Sequence, residues 1–350
     1  MISLFLYIIS VSIISYLSFH FLLKLNKLTQ LKKNNDKGER WGTQKKPIIG
    51  GIGFYIAFLW GIGVYLIKFI NNTISNDLII LFTICTLGFA SGLWDDLKGS
   101  TPRVKLIIQL LIGTLFIFTN NHITAFNSNW INYPMTLFWV IAIMNSINML
   151  DNMDAITTSV SAVIILSLIS IEYYHLQELS FYSFIGIGIF LSLLIFLRWN
   201  WNPSKMYMGD NGSQFLGAFL AFLGIKIVWN CNIPSTGSFP IDQIIILSLS
   251  FIVTFSDTAT VTINRLRAGK SPFIGGKDHT THHLSYLGLK EPSIALLLIG
   301  ISIVSNIFAF YIICIEKNYT IYKSILWILV ITVIFGTLYS TTYFSKQKKA

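Results

Sequence analysis

The sequence predicts an all-α, polytopic integral membrane protein with about eleven transmembrane helices, its N-terminus outside and its C-terminus cytoplasmic. Three observations lead there. Apolar residues fill 53% of the 350 positions and charged residues only 11%. A water-facing surface cannot be coated at that level, since soluble domains carry about 25% charged residues. Eleven stretches approach the roughly 20 apolar residues that a helix needs to cross hydrocarbon. The lysines and arginines then gather on alternate connections, as cytoplasmic loops require. The same composition rules out disorder, a collagen-like fibre and a secreted disulfide scaffold.

The first stretch, 2–23, lacks a basic leader and a small-residue cleavage site, so it reads as a retained helix and not a signal peptide. The second, 48–70, opens on Gly50-Gly51-Ile52-Gly53, small residues that permit close helix packing. The third, 78–94, runs into Trp94-Asp95-Asp96-Leu97, and the fourth, 104–119, carries Lys105 and Gln109 at its start. The fifth, 133–150, ends in a polar stripe, Asn145, Asn148, Asp151 and Asp154, at three-residue intervals that share one face if helical. The sixth and seventh, 155–172 and 180–197, are plain apolar runs. The eighth, 211–228, is introduced by Gly209-Asp210-Asn211-Gly212-Ser213, in which Asp or Asn suits a helix cap. The ninth, 241–262, buries Asp257 eight residues before Arg265, which suggests an internal ion pair or a site-supporting role as readily as direct chemistry. The tenth and eleventh, 292–315 and 323–344, close the chain. No repeat or low-complexity linker interrupts them, so residues 1–350 form one membrane domain. Cys85, Cys231 and Cys314 are scattered without a CxxC pair and read as packing residues.

Starting outside, 21 of the 25 basic residues fall on the inner side, eight of them in the loop 24–46. The net charge of +10 is therefore an orientation signal with some attraction to anionic lipid, and not a sign of nucleic-acid binding. The same topology puts the polar clusters on the inner ends of four segments. Ionisable residues at membrane depth are costly and mark functional sites by default. Adjacent Asp95 and Asp96 repel each other, a repulsion that a cation or proton relieves. The start of the eighth stretch offers N–H groups that attract anions. His279, His282 and His283 lie in a loop with Arg265, Arg267, Lys270 and Lys277, a setting for phosphate in preference to zinc.

In this order the motifs resemble the polyprenyl-phosphate N-acetylhexosamine-1-phosphate transferases, over about residues 42–288. The pieces are Pro47-x-x-Gly50-Gly51, Gly92-x-x-Asp95-Asp96, Lys105-x-x-x-Gln109, Asn145-x-x-Asn148-x-x-Asp151-x-x-Asp154, Met208-Gly209-Asp210-x-Gly212-Ser213 and Arg267-x-Gly269-x-Ser271-Pro272-Phe273 before the histidines. Two departures stand out. Asn152 and Ala155 replace two glycines usual in the family, and Asp278-His279-x-x-His282-His283 displaces the first histidine of the usual motif.

The resemblance implies transfer of a sugar-1-phosphate, N-acetylglucosamine-1-phosphate by preference, from a UDP-N-acetylhexosamine to undecaprenyl phosphate with release of UMP. A phospho-N-acetylmuramoyl-pentapeptide transferase is the alternative, and a transporter with a carboxylate relay is the rival from another class. The implied catalytic residues are Asp95, Asp96, Lys105, His282 and His283. Asn145, Asn148, Asp151, Asp154, His279 and Arg267 are implied to bind substrate. Asp210 and Asn148 are implied to hold Mg²⁺, with Mn²⁺ as a substitute. The implied partners are a UDP-sugar, a polyprenyl phosphate and the membrane, with no nucleic acid; a homodimer is allowed. The implied location is a bacterial cytoplasmic membrane, with the site on its inner face.

Overall fold

The computed structural model describes residues 2–29, 46–68, 75–231, 240–272, 276–316 and 320–349. Among them the chain forms thirteen α-helices and no strand, apart from one isolated parallel bridge between Ile48 and Tyr207. In order they are α1 (Ile2–Thr29), α2 (Gly50–Lys68), α3 (Asn76–Lys98), α4 (Pro102–Phe118), α5 (Asn129–Leu150), α6 (Ile156–Leu176) and α7 (Phe181–Asn200). They continue with α8 (Asp210–Gly224), α9 (Ile241–Ser250), α10 (Ile252–Arg267), α11 (Thr280–Tyr286), α12 (Glu291–Phe310) and α13 (Ile321–Lys349). Short π-helical turns, Ile225–Trp229 and Tyr311–Ile315, extend α8 and α12.

Nine helices among the described residues are long and apolar enough to cross a bilayer. Two of the eleven expected stretches lie outside that number, and a bent pair taken as one span brings the number to ten. The fourth folds as α4, only 17 residues long. The ninth is a pair, α9 and α10, bent by 86° at Phe251. Breaking a helix at membrane depth frees backbone groups that must find partners. Asn306 of α12 supplies one, donating Nδ2 to the Ser250 carbonyl at 3.2 Å. Most of the expected loop 24–46 lies outside the described residues.

The core centres on α8, 94% of whose apolar window is buried inside the protein; for α13 the figure is 11%. An α8 hydrophobic all round is what a central helix requires, whereas α13 turns most of its surface to lipid. Helices α2, α3, α5 and α6 surround α8. Without a hydrophobic drive between helices in lipid, small residues at the seams decide how closely they pack. A side chain at Gly51 would collide with Asn211 and Gly212, and one at Gly92 with the Asp210 carbonyl. The segment before α2 is also tied to the one before α8, with Gly50 and Gly51 donating their N–H groups to Tyr207 and Met208 carbonyls, each at 3.0 Å. These close approaches place the start of α8 beside the start of α2 and the end of α3.

Candidate active site

Helix α3 ends at Lys98, and Gly99, at φ +75°, turns the chain so that Pro102 can open α4. Pro at the first helical turn has no orphan N–H to satisfy. The turn brings Lys105 back beneath the end of α3. Its Nζ lies 2.8 Å from the Asp95 carboxylate and 2.5 Å from Asp210 Oδ2. Asp95 also accepts the Ser100 N–H at 2.5 Å. Asn148, near the end of α5, donates Nδ2 to Asp210 Oδ1 at 3.1 Å and to Ser213 Oγ at 2.8 Å. One ammonium thus joins two carboxylates from different helices, while an amide holds the other oxygen of Asp210.

Asp96 points elsewhere. Its carboxylate accepts the backbone N–H groups of Asp210 and Asn211, at 3.1 and 2.9 Å, and the Asn211 side-chain amide at 2.5 Å. A helix start attracts anions because its first N–H groups are unsatisfied. Here Asp96 itself occupies that position. The expectation that the start of α8 would present N–H groups to a bound anion is therefore corrected at Asp210 and Asn211.

Behind the carboxylates lies an amide layer. Asn145 donates to Gln109 Oε1 at 2.9 Å and receives Gln109 Nε2 at 3.3 Å, and Gln109 Nε2 also lies 3.4 Å from Gln214 Oε1. Asn145 therefore braces α5 against α4, and Gln109 carries the contact on to α8. Asp151 caps the end of α5, partly exposed. Asp154 is committed to scaffolding: Ser204 N and Oγ donate to it at 2.9 and 2.7 Å, Asn202 at 3.3 Å, and Lys46 Nζ stands 3.6 Å away. That arrangement fixes the segment leading into α8. Its carboxylate faces protein donors and not an open nucleotide site.

The histidine loop folds as the short helix α11 and its approach. Asp257 of α10 is 2% exposed and accepts the Thr280 N–H at 2.8 Å and His279 Nδ1 at 2.7 Å. The alternative of an Asp257–Arg265 pair is corrected by Arg265, whose Nε and Nη2 lie 2.8 and 2.7 Å from the two oxygens of Asp278. Burial works against the Asp278 charge, yet the Arg265 hydrogen bonds and charge outweigh it and hold the carboxyl below its usual range. His282 is pushed down to about 3 by burial first and by the neighbouring His279 second. His283 Nδ1 lies 2.7 Å from Ser345 Oγ, near the end of α13. Arg267 is exposed, and its guanidinium donates Nη1–H to the Tyr339 and Tyr343 hydroxyl oxygens at 2.7 and 2.9 Å. Its contacts lie on α13, apart from the carboxylates.

The donors around Lys105 are hard oxygens, the type Mg²⁺ prefers. Among the described residues no three acidic, histidine or cysteine side chains are close enough to enclose an ion alone. The residues therefore fit a cation that takes only part of its shell from protein. Ser100, Thr281 and Ser345 were not among the candidate residues of the sequence. Asn152 carried a signal as a departure from glycine; Ser345 carried none, since it is one of several hydroxyl residues in the polar end of the last helix.

The pattern of glycosyl transferase family 4 matches residues 78–228, from α3 through α8. The chain is 27% identical over 302 residues to a probable undecaprenyl-phosphate N-acetylglucosaminyl 1-phosphate transferase of Bacillus subtilis (strain 168), covering 83% of this chain and 78% of that one. It is 30% identical over 206 residues to a phospho-N-acetylmuramoyl-pentapeptide-transferase of Staphylococcus haemolyticus (strain JCSC1435), covering 52% and 62%. A protein of the same name from Prochlorococcus marinus subsp. pastoris is 26% identical over 309 residues, covering 82% of each.

Proposed function

We propose that the chain, whose residues 78–228 match the pattern of glycosyl transferase family 4, acts as a member of that family and moves N-acetylglucosamine-1-phosphate from UDP-N-acetylglucosamine to undecaprenyl phosphate. UMP is the second product. The observation that carries the reading is Lys105 held between Asp95 and Asp210. Two anionic phosphates must meet for this reaction, and their repulsion has to be offset by fixed positive charge. The choice of sugar follows the Bacillus relative, whose alignment covers 78% of its length.

In the proposed reaction an oxygen of the lipid phosphate forms a bond to the β-phosphorus of the nucleotide sugar. The bond from that phosphorus to the oxygen of UMP breaks, and UMP leaves with the electron pair. Lys105 binds phosphate oxygens as they arrive, exchanging one carboxylate partner for them. Asp96 keeps the start of α8 in place, so that Asp210 and Ser213 keep their positions against Asn148. Asp95 lies beside Lys105 and orients it. Asp210, with Asn148 at its side, is the residue that would hold Mg²⁺, and substrate phosphates and water would complete its shell. When bound, Mg²⁺ screens the phosphates and stabilises charge on the leaving group. In this reading His282 and His283 belong to the α11 side of the site, while Arg267, held by Tyr339 and Tyr343, stands apart from the carboxylates. We place the site on the inner face of a bacterial cytoplasmic membrane, because the basic connections share that side.

The test incubates membranes containing the chain with UDP-sugars labelled in the sugar and with undecaprenyl phosphate. A lipid carrying one N-acetylglucosamine phosphate, with UMP in equal amount, supports the reading. Product only from UDP-N-acetylmuramoyl-pentapeptide would assign the activity named for the Staphylococcus and Prochlorococcus relatives. No lipid-linked product from either donor would overturn both.

A further inference from the structure

We propose that Asp257 is a positioning residue for the transfer reaction, acting through His279; the proposal rests on the transferase reading above. The argument is a count of hydrogens. A carboxylate has no hydrogen to give, so each group within bonding distance of it must donate. Asp257 Oδ1 takes the Thr280 N–H at 2.8 Å, and Oδ2 lies 2.7 Å from His279 Nδ1. His279 therefore carries hydrogen on Nδ1. Its Nε2 is then the atom left to accept a hydrogen, and a tenth of the side chain remains accessible.

His282 is set the opposite way. Its Nδ1 lies 3.4 Å from the His279 backbone N–H, which can only donate. The neutral His282 ring therefore carries its hydrogen on Nε2. The two rings cross at 88° with centroids 5.2 Å apart and are thus set in opposite tautomers, with the His282 ring 1% exposed and the edge of His279 accessible. An accepting Nε2 on His279 suits phosphoryl transfer between two phosphates, because it can take any proton the attacking phosphate still carries. Asp257 fixes that half of the arrangement.

The carboxylate is in turn held by the segment between α5 and α6. Asn152 Nδ2 lies 3.5 Å from Asp257 Oδ2, and Asn152 Oδ1 accepts the Thr281 hydroxyl at 2.5 Å. A glycine at position 152 would have no side chain to make these bonds. Asn152 and His279 thus meet at one carboxylate.

Asp257→Asn tests this, because an amide offers one oxygen and one NH₂ in place of two acceptors. If its oxygen keeps the Thr280 N–H, its NH₂ faces His279 Nδ1 and drives the ring hydrogen to Nε2. Ring nitrogen-15 spectra of the histidine-labelled full-length protein in micelles read this directly, with His279→Gln assigning the signal. Wild type is expected to show the Nδ1–H form and Asp257→Asn the Nε2–H form. The kcat for transfer should fall by about 100-fold, as for other residues that orient a functional imidazole, with KM changing less than about threefold. In a His279→Gln background Asp257→Asn should lower kcat no further. Asp257→Glu, which retains two acceptor oxygens, should keep the Nδ1–H form. A wild-type His279 protonated on Nε2 overturns the proposal without any variant and without any assay of transfer. Additive losses in the double variant of an active transferase overturn it while leaving the transferase reading intact.

Discussion

The Asp96 carboxylate accepts the backbone N–H of Asn211 at 2.9 Å, across 115 positions of sequence. The contact makes the end of α3 the cap of α8, so the position of Asp210 depends on Asp96 even though the two carboxylates have different partners.

Asp96→Ala should therefore lower both stability and transfer. Loss of a helix cap costs about 1–2 kcal/mol, and the buried N–H groups left behind add to it. Thermal denaturation in detergent together with the transfer rate checks this. An Asp96 variant as stable as wild type but inactive would mean that the carboxylate acts on substrate and not as a cap.

Asp210→Asn keeps the shape and removes the charge that Lys105 and a cation would share. Transfer should fall by several orders of magnitude, on the scale of about 10³-fold seen when a positioned electrostatic group is removed. Raising Mg²⁺ should restore little. Lys105→Met should be comparably damaging, because it leaves Asp95 and Asp210 facing each other without their shared cation. A Mg²⁺ titration of each variant, with UDP-sugar binding measured separately, distinguishes lost binding from lost chemistry. Near-normal transfer by Asp210→Asn would remove it from the mechanism.

Ala155 occupies the left-handed region, φ +66° and ψ −16°, and is 1% exposed. Left-handed backbone costs an L-residue about 1–2 kcal/mol. Ala155→Gly relieves that but loses a buried methyl, worth about 0.8 kcal/mol, and adds freedom to the unfolded chain worth about 0.5–1 kcal/mol. The effects nearly cancel, so the substitution should be close to neutral. Ala155→Val adds bulk and a β-branch at positive φ and should cost more than about 2 kcal/mol. Denaturation midpoints for the two variants give the comparison.

His282 titrates near 6.5 when unfolded and about 3 in the folded protein. Between those values the unfolded chain binds the extra proton and the folded one does not. Stability is therefore retained above about pH 6.5 and falls as pH decreases towards 3. His282→Gln, which cannot be protonated in this range, should show a shallower decline. Unfolding followed from pH 7 to pH 4 tests it, and an equally steep decline in the variant would remove His282 as a cause.

Orientation is tested by reporter fusions. Fusions after Lys33, Gly99 and Gly276 should read cytoplasmic, and those after Asn72 and Asn129 external. The basis is the distribution of 21 of 25 basic residues. An external signal at Gly276 alone would contradict the contact of the histidine segment with Asp257 and Asn152.

The helices were legible because apolar length has one common explanation in a bilayer, and the acidic motifs because their cost within apolar runs must have a reason. The partners were less so. Asp95 and Asp96 are adjacent in sequence, yet one joins Lys105 and the other caps α8, a distinction made by packing at Gly92 and Gly51. Asp154 continues the stripe of Asn145 and Asn148, but the helix ends at Leu150 and the last carboxylate turns to Ser204. Periodicity carries no information beyond the helix that generates it. Ser345 was illegible for a similar reason: its partner, His283, comes from a separate segment 62 positions earlier.

The 86° bend between α9 and α10 changes what sequence position means for depth. A straight helix of 16 residues would descend about 24 Å through the bilayer. Two helices that meet at 86° cannot both follow the membrane normal, and where one of α9 and α10 follows it the other runs nearly level. The hydropathy profile records 241–262 as one continuous descent, but the bend at Phe251 divides it into a part that changes depth and a part that does not.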